Sequence, residues 1–376
     1  MKLSFSRLFV AVLALGAPAF AGSAELPSQG LEDRIEFWKK VYTQYGENDV
    51  IIHDRTRVNL IYDVATRDDR TSRVDVVYKA LDEIRTNLET AEPLSPVATQ
   101  VREAIVAANV PLTSSSLADL RNNVHTQLGI KERFRTGIIR SGRYLESFQQ
   151  VFLQTGVPVE VALLPLVESS FENRAFSSAG AAGIWQFTRG TGRLYMTVSR
   201  RVDERLNPDK ATRAAARLLR DNYTALGSWP LAITAYNHGR AGMQRAQSEV
   251  GSSEITKIID AYKGRLFGYA SMNFYAEFLA AVEVYNTYEQ YFGQLVLDQP
   301  LSKPAAASSK PTQVAAAKPV AKKAPTTTAA ADKYKVRKGD TLAEIARRFG
   351  TTVRDLMDTN NLRNTVIHAG QVLLVN

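Results

Sequence analysis

The sequence predicts a mainly α-helical protein that ends in a small α+β module. Apolar residues recur at helical spacing through most of the chain up to about residue 293. A stretch rich in Ala, Pro, Lys and Thr follows, which contains no aromatic residue. A short strand–helix–helix–strand pattern closes the chain. These observations predict the following layout: signal peptide 1–24, helical N-terminal region 25–115, helical main domain 116–298, disordered linker 299–332, and terminal module 333–376.

The first residues have the pattern of a secretory signal peptide. Lys2 and Arg7 precede an apolar run at 8–17, and small residues follow in an A-x-A arrangement. Cleavage after Ala21 and cleavage after Ala24 both fit, and the run is too short to cross a bilayer. Because the chain has no Cys, we expect no lipid anchor through an N-terminal cysteine and no disulfide. The expected location is the periplasm, with no transmembrane segment after cleavage.

Composition and charge exclude some classes of partner. The chain is 45% hydrophobic and 23% charged, which is ordinary for a globular protein. Its net charge is +9, but most of the basic excess lies from Lys303 onward, in the linker and the terminal module. A secreted chain with a basic tail is better suited to an anionic wall polymer than to nucleic acid. The sequence gives no indication of oligomeric state.

The N-terminal region is predicted to be a helical lead-in that packs against the main domain. Ile35, Trp38, Val41 and Tyr42 have helical spacing. The segment 58–65 fits a strand and a helix equally well. No chemistry is assigned to this region.

Residues 157–188 carry the strongest sign of chemistry. An apolar run opened by Pro158 ends at Glu168. A carboxyl among apolar side chains has a raised pKa, because desolvation disfavours its charged form. Such a group can protonate the leaving oxygen when an acetal is cleaved. Glu168 is thus a candidate general acid, although a carboxylate that merely caps a helix end has the same local pattern. Pro165 predicts either a kink or a helix terminus beside it.

Three ordered motifs carry a resemblance to a known family. They are ES at Glu168 and Ser169, GAAGIWQF at 180–187, and AYNHG at 235–239. Together they resemble the lytic murein transglycosylases, in particular the type D enzymes that end in LysM modules. The resemblance implies a lysozyme-like α-helical catalytic domain, with peptidoglycan glycan strands as substrate.

The resemblance also implies roles for individual residues. Glu168 falls on the catalytic acid and Gln186 on a glutamine that bonds substrate near the scissile bond. Tyr236 and Asn237 fall on residues that line the cleft, at the end of a helix with Ser228 as its predicted N-cap.

Two serines and an aromatic residue complete the predicted site. The hydroxyls of Ser169 and Ser170 are suited to bond the carboxylate or a sugar. Trp185 stands where many relatives have methionine, and the core is its preferred location.

The family's ET…YV pattern is only partly present. Tyr275 corresponds to its tyrosine and is predicted to contact substrate, but Ser271 and Met272 occupy the Glu-Thr positions. A second acid is therefore not carried over. Glu277 could replace it, although a solvated helix face explains Glu277 equally well.

A hydrolase with two carboxylates needs a second acid at about 5 Å or about 6.5–9.5 Å from the first. Glu172, Asp203 and Glu204 are the nearest in sequence. The resemblance instead implies one glutamate that acts first as acid and then as base. It would cleave the bond between N-acetylmuramic acid and N-acetylglucosamine and leave a 1,6-anhydro sugar. A muramidase that hydrolyses the same bond and a non-catalytic wall binder remain alternatives.

No cofactor or metal is predicted. The four His residues lack metal-ligand spacing and HExxH is absent. The glycines at 180–183 do not form a phosphate-binding motif.

The last 44 residues, 333–376, resemble a LysM module, which implies binding of N-acetylglucosamine in glycan chains. The predicted pattern is βααβ. The residues that the resemblance places at the glycan-binding loops are Gly339, Asp340, Thr341, Asn360, Asn361 and Ile367.

Overall fold

The computed structural model describes residues 26–90, 92–300, 332–337, 340–349, 353–360, 362, 365 and 367–375. The predicted signal peptide and nearly all of the predicted linker lie outside the described residues, as do Gly339 and Asn361.

The described part of the chain is mainly helical, which confirms the predicted fold class. Its α-helices are α1 (Glu32–Thr43), α2 (Arg70–Thr90), α3 (Pro96–Ala107), α4 (Ser114–Asn122), α5 (Lys131–Ser141), α6 (Leu145–Thr155), α7 (Pro165–Glu168), α8 (Arg189–Tyr195), α9 (Pro208–Leu226), α10 (Trp229–His238), α11 (Arg240–Val250), α12 (Ile255–Ala261), α13 (Tyr269–Asn286), α14 (Tyr288–Phe292), α15 (Leu342–Arg348) and α16 (Val353–Thr359). Two 3₁₀ turns, Val159–Leu163 and Glu204–Leu206, interrupt the helices. The strands are β1 (Asp49–Asp54), β2 (Ile61–Thr66), β3 (Val124–Leu128), β4 (Asp332–Lys335) and β5 (Val372–Val375).

The main hydrophobic core is organised around α13. This helix is apolar on most of its surface and packs against α1, α7 and α10. A helix that is apolar all round belongs in the interior of a domain. On the other side of this core, α9 begins at Pro208 behind the N-cap Asn207 and ends at Gly227, whose φ of 69° closes the helix. Helix α10 follows directly and carries AYNH at its end.

The N-terminal region contains a sheet that the predicted helical lead-in did not include. Strands β2, β1 and β3 form an antiparallel sheet in that order, covered by α2, α3 and α4. The ambiguous segment 58–65 supplies most of β2. The cores divide the chain differently from the predicted boundary at residue 115, because α1 joins the main core and α4 joins the second core.

The C-terminal module has the predicted βααβ order. Strand β4 pairs antiparallel with β5, and α15 and α16 pack beside them. Leu342, Ile345, Leu356 and Leu373 are the centre of a small separate core. No helix in the described ranges combines the length and apolar character needed to cross a membrane.

Candidate active site around Glu168

Glu168 is the last residue of a tight turn. The 3₁₀ turn Val159–Leu163 leads into α7, which begins at Pro165 and ends at Glu168. A helix therefore starts at this proline rather than bending there, since proline suits the first turn, where its missing N–H is not needed. Two and three residues after Glu168, Ser170 and Phe171 have φ values of 50° and 54°. Non-glycine residues in this left-handed region are strained, and such strain concentrates at functional sites.

The carboxyl of Glu168 is desolvated without a compensating partner. Its neighbours Leu164, Pro165 and Leu166 are buried, whereas Glu168 itself keeps partial access to solvent. Among the described residues, no hydrogen bond or ion pair engages the Glu168 side chain. Burial alone raises the pKa of Glu168 to about 8. The group therefore holds its proton at neutral pH.

The rival carboxyls near Glu168 in sequence are paired with cations. Glu172 forms an ion pair with Arg140 at 2.7 Å. Hydrogen bonds from Arg205 lower the pKa of Asp203, and a hydrogen bond from Lys210 lowers that of Glu204. Asp203 and Glu204 are therefore ionised at neutral pH and cannot donate a proton.

The three sequence motifs meet at the backbone of the second one. The hydroxyl of Ser169 donates to the carbonyl of Ile184 at 2.7 Å. The phenol of Tyr236 donates to the next carbonyl, that of Trp185, also at 2.7 Å. Motifs that are far apart in sequence are thus joined through adjacent carbonyls. The charge of Glu168 also raises the pKa of Tyr236, although burial is the larger cause.

A buried arginine, which sequence reasoning missed, braces the same loop. Arg205 is 1% exposed and donates to the carbonyls of Gly180 and Phe187, each at 2.9 Å. Two further hydrogen bonds reach Asp203 at 2.9 and 2.7 Å. Gly183 has a φ of 81°, and a Cβ there would lie 2.0 Å from the Arg205 carbonyl oxygen. The only sequence signal for Arg205 is the acid two residues before it.

Gln186 has a φ of 46°, and its side chain braces the loop. Its amide nitrogen donates to the carbonyls of Ala175 and Gly183 at 3.2 and 2.8 Å. The neighbouring Trp185 is fully buried, stacks on Phe152 and donates to Thr212 at 2.8 Å. Trp185 therefore belongs to the core, as preferred from the sequence.

Asn237 lies exposed at the end of α10. Its amide oxygen accepts a hydrogen bond from Ser271 at 3.1 Å, and the Nδ1 atom of His238 lies 3.1 Å from the same hydroxyl. Ser271, which occupies the family's glutamate position, thus links α13 to the AYNHG motif.

Two of the predicted substrate-binding residues have hydroxyls that are bonded within the protein. Ser169 is fully buried, and its hydroxyl is used by Ile184. Tyr275 is 1% exposed, and its phenol donates to the carbonyl of Pro27 at 3.1 Å. Both hydroxyls therefore stabilise the fold around the site, and their contact with substrate stays a prediction.

The LysM residues that can be described have structural partners. The Asp340 carboxylate accepts hydrogen bonds from Tyr334 at 2.7 Å and from the Arg337 amide at 2.8 Å. The Asn360 side chain bonds to both backbone groups of Leu374, at 2.8 and 2.6 Å. Thr341 and Ile367 are partly buried.

The fold brings together two histidines that are distant in sequence. His53 on β1 lies opposite His125 on β3, with ring centroids 5.6 Å apart, and Tyr269 contacts both rings. Burial lowers the pKa of His53 to about 3. Within the described ranges, no group of three or more His, Cys, Asp or Glu residues is arranged to hold a metal ion.

Two segments of the chain match known protein-family models. Residues 153–259 match the Transglycosylase SLT domain, and residues 334–376 match the LysM domain. The chain therefore carries a transglycosylase SLT domain followed by a LysM domain, which confirms the resemblance predicted from the motifs.

Individual relatives each match a part of the chain. Membrane-bound lytic murein transglycosylase D of Escherichia coli (strain K12) is 27% identical over 58% of this chain and 60% of its own length. The cell wall-binding protein YocH of Bacillus subtilis (strain 168) is 49% identical over 11% of this chain and 15% of its own length. The chain thus spans less than two thirds of each relative. Among solved structures, the lytic transglycosylase Slt of Pseudomonas aeruginosa matches 58% of this chain and 31% of the Slt chain, with 15% sequence identity and a TM-score of 0.34.

Proposed function

We propose that this chain is a lytic transglycosylase that cleaves peptidoglycan glycan strands. It would break the β-1,4 bond between N-acetylmuramic acid and N-acetylglucosamine without water and leave a 1,6-anhydro end. The observation that carries this proposal is the state of Glu168. A partly accessible carboxyl with no partner among the described residues and a pKa near 8 lies in the matched SLT domain. A proton donor of this kind suits cleavage of an acetal.

The proposed reaction uses Glu168 twice. Protonated Glu168 gives its proton to the glycosidic oxygen as the bond to C1 of the muramyl residue breaks. The resulting carboxylate then removes the proton of the 6-hydroxyl of the same sugar, whose oxygen forms the new bond to C1. Glu168 is thereby protonated again. Because the attacking hydroxyl already belongs to the reacting sugar, proximity replaces a second carboxylate and a water molecule.

The acids nearest to Glu168 in sequence are paired with cations, which supports this reaction over hydrolysis assisted by one of them. Asp203 and Glu204 are both engaged by cations, so neither is available to activate water. A muramidase acting on the same bond is the second candidate.

We infer that the protein acts in the periplasm, exported by its signal peptide and held on the wall by its LysM module. The relatives named for murein and for cell-wall binding support this inference. The basic linker would add attraction to an anionic wall polymer.

Product analysis tests the proposal. The mature protein is incubated with purified sacculi, and the released fragments are measured by mass spectrometry, with Glu168→Gln as the background control. We expect 1,6-anhydro ends, which are one water lighter than reducing ends. Reducing ends would identify a muramidase instead. Binding to sacculi without release of fragments would identify a non-catalytic binder.

A further inference from the structure

A network of hydrogen bonds joins the end of α10 to the start of α13. His238 is the last residue of α10, and Ser271 lies in the first turn of α13. The Nδ1 atom of His238 lies 3.1 Å from the hydroxyl of Ser271, and that hydroxyl donates to the amide oxygen of Asn237 at 3.1 Å. Three side chains from two packed helices are thus linked in a row.

The network has a defined direction, because a serine hydroxyl carries one proton. Ser271 gives this proton to the amide oxygen of Asn237, so it must accept a hydrogen bond from the Nδ1 atom of His238. The Nδ1 atom therefore carries a proton. Burial lowers the pKa of His238, so the ring is neutral at pH 7 and its Nε2 atom is unprotonated.

Two neighbours hold the imidazole ring of His238 in place. The ring of Phe267 meets it edge to face, with centroids 5.1 Å apart and an interplanar angle of 89°. In α11, Gly242 leaves room for the imidazole, because a Cβ at this position would lie 2.5 Å from both Cδ2 and Nε2 of His238. These contacts limit movement of the ring and keep its Nδ1 atom within reach of Ser271.

Stability alone does not account for this network. Ser271 is 6% exposed, but Asn237 at the end of the network is exposed to solvent. An exposed amide can bond to water, so holding it in one orientation gains little stability and costs side-chain entropy. A binding site, in contrast, needs neighbouring residues that fix the orientation of the group that contacts ligand.

The network leaves the amide nitrogen of Asn237 available. The amide oxygen is bonded to Ser271, whereas no group among the described residues accepts a hydrogen bond from the nitrogen. Tyr236, the preceding residue, bonds to the carbonyl of Trp185 in the second sequence motif. Two N–H donors are therefore available at the surface next to the candidate active site, where they suit an acceptor oxygen.

We propose that Ser271 and His238 are positioning residues that present the amide nitrogen of Asn237 to an acceptor oxygen of the glycan, such as the carbonyl of an N-acetyl group. This inference rests on the function proposed for Glu168. It also gives a role to the serine at the family's glutamate position. A carboxylate there only accepts hydrogen bonds, so it would bond to the amide nitrogen and leave the amide oxygen available instead.

Steady-state kinetics on a soluble glycan fragment test the proposal. Ser271→Ala should raise KM about three- to tenfold and leave kcat within about twofold of the parent, because it removes an interaction that acts equally before and during the reaction. Ser141→Ala is the matched control. Ser141 is also fully buried and donates to the carbonyl of Ile138 at 2.6 Å, so its loss should lower stability without changing KM. An unchanged KM in Ser271→Ala overturns the inference.

Two substitutions of His238 separate positioning from packing, because both remove the ring. The amide nitrogen of an asparagine can take the place of Nδ1, whereas that of a glutamine reaches the place of Nε2. His238→Asn should therefore keep KM within about twofold of the parent, and His238→Gln should raise KM as much as Ser271→Ala does. Equal KM values in the two variants would show that the ring serves packing only and would overturn its role in positioning.

NMR with ¹⁵N labelling separates this inference from the proposed function, because it needs no turnover. In the parent, the neutral imidazole of His238 should carry its proton on Nδ1, and the side-chain amide of Asn237 should be rigid. In Ser271→Ala that amide should become mobile. A proton on Nε2 instead would reverse the network and overturn the inference.

The two proposals can therefore fail separately. If NMR shows the network but the parent cleaves no glycan, the proposed function fails and the orientation of Asn237 stands. If Glu168→Gln is inactive while Ser271→Ala matches the parent in both KM and NMR, the inference alone fails.

Discussion

Two short turns in the main domain carry acidic residues, and the surroundings of these acids shift their pKa values in opposite directions. The turn α7 ends in Glu168, which is desolvated and has no partner among the described residues. The 3₁₀ turn Glu204–Leu206 follows Asp203. Arg205 of this turn pairs with Asp203, and Lys210 of α9 pairs with Glu204. The pKa values consequently move apart, upward to about 8 for Glu168 and downward for the other two.

The difference shows how one domain keeps one carboxyl protonated and others ionised at neutral pH. An acid becomes a donor at neutral pH when burial is not offset by a partner. Paired acids instead hold structure, and here Asp203 orients Arg205 against the loop that contains Gln186. The predictions below test the two turns separately.

Glu168→Gln should produce the largest effect. Removing a general acid lowers the rate by about 10²- to 10⁴-fold. Release of soluble fragments from sacculi measures this loss, while circular dichroism should show an intact fold. Glu172→Gln removes an acid four residues away that is paired with Arg140, and it should retain activity within a few-fold of the parent. Comparable losses in both variants would contradict the special role of Glu168.

Arg205→Ala should destabilise the other turn strongly. It leaves Asp203 and the carbonyls of Gly180 and Phe187 without their partner, which costs about 3–5 kcal/mol of unfolding free energy. Urea unfolding measures the change. Lys210→Ala is the matched control, because Lys210 is 56% exposed in its pair with Glu204. That substitution should cost under about 1 kcal/mol. Equal costs for the two substitutions would argue against Arg205 as the brace.

Gly183→Ala should break the contact between the 180–187 loop and the 3₁₀ turn Glu204–Leu206. The added Cβ would approach the Arg205 carbonyl oxygen to 2.0 Å. We expect a loss of about 2–4 kcal/mol in unfolding free energy. Gly180→Ala isolates the steric term, because Gly180 has a similar φ of 78° but nothing within 4 Å of its Cβ position. Gly180→Ala should cost about 1 kcal/mol. Chemical denaturation measures the loss in both variants. Equal losses would show that the close approach of Gly183 to Arg205 does not matter for stability.

The smallest effect is a pH-dependent gain in stability. The pKa of Glu168 is higher in the folded protein than in the unfolded chain, so its contribution is complete at acid pH and is lost as pH rises towards 8. Glu168→Gln removes the ionisable group, so the variant does not lose this stability as pH rises. The variant should therefore gain about 1–3 kcal/mol over the parent between pH 5 and pH 8. Thermal unfolding at both pH values measures the gain, and a constant difference would indicate an unperturbed carboxyl.

The sequence was most informative where a residue's role depends on its local surroundings. Glu168 could be selected because its apolar neighbours are adjacent in the chain. The strand–helix–helix–strand order of the terminal module was also readable from local pattern.

Roles that depend on distant partners could not be predicted in this way. Ser169 and Tyr275 matched family positions, but their hydroxyls bond to Ile184 and Pro27. Whether a hydroxyl faces substrate or a backbone carbonyl depends on elements that only the fold brings together. Arg205 was missed for the same reason, since its acceptors lie 18 and 25 residues away. The sheet of the N-terminal region was missed because its third strand, β3, is contributed from beyond residue 115.

The packing of α1 against α13 has a consequence for how the protein folds. Tyr42 and Glu277 are 235 positions apart, yet they share a hydrogen bond inside the main core. Closing such a large loop is entropically slow and cannot precede synthesis of the later helix. Helix α1 can therefore reach its native position only after α13 has been synthesised. This order favours late, cooperative folding over stepwise folding during translation.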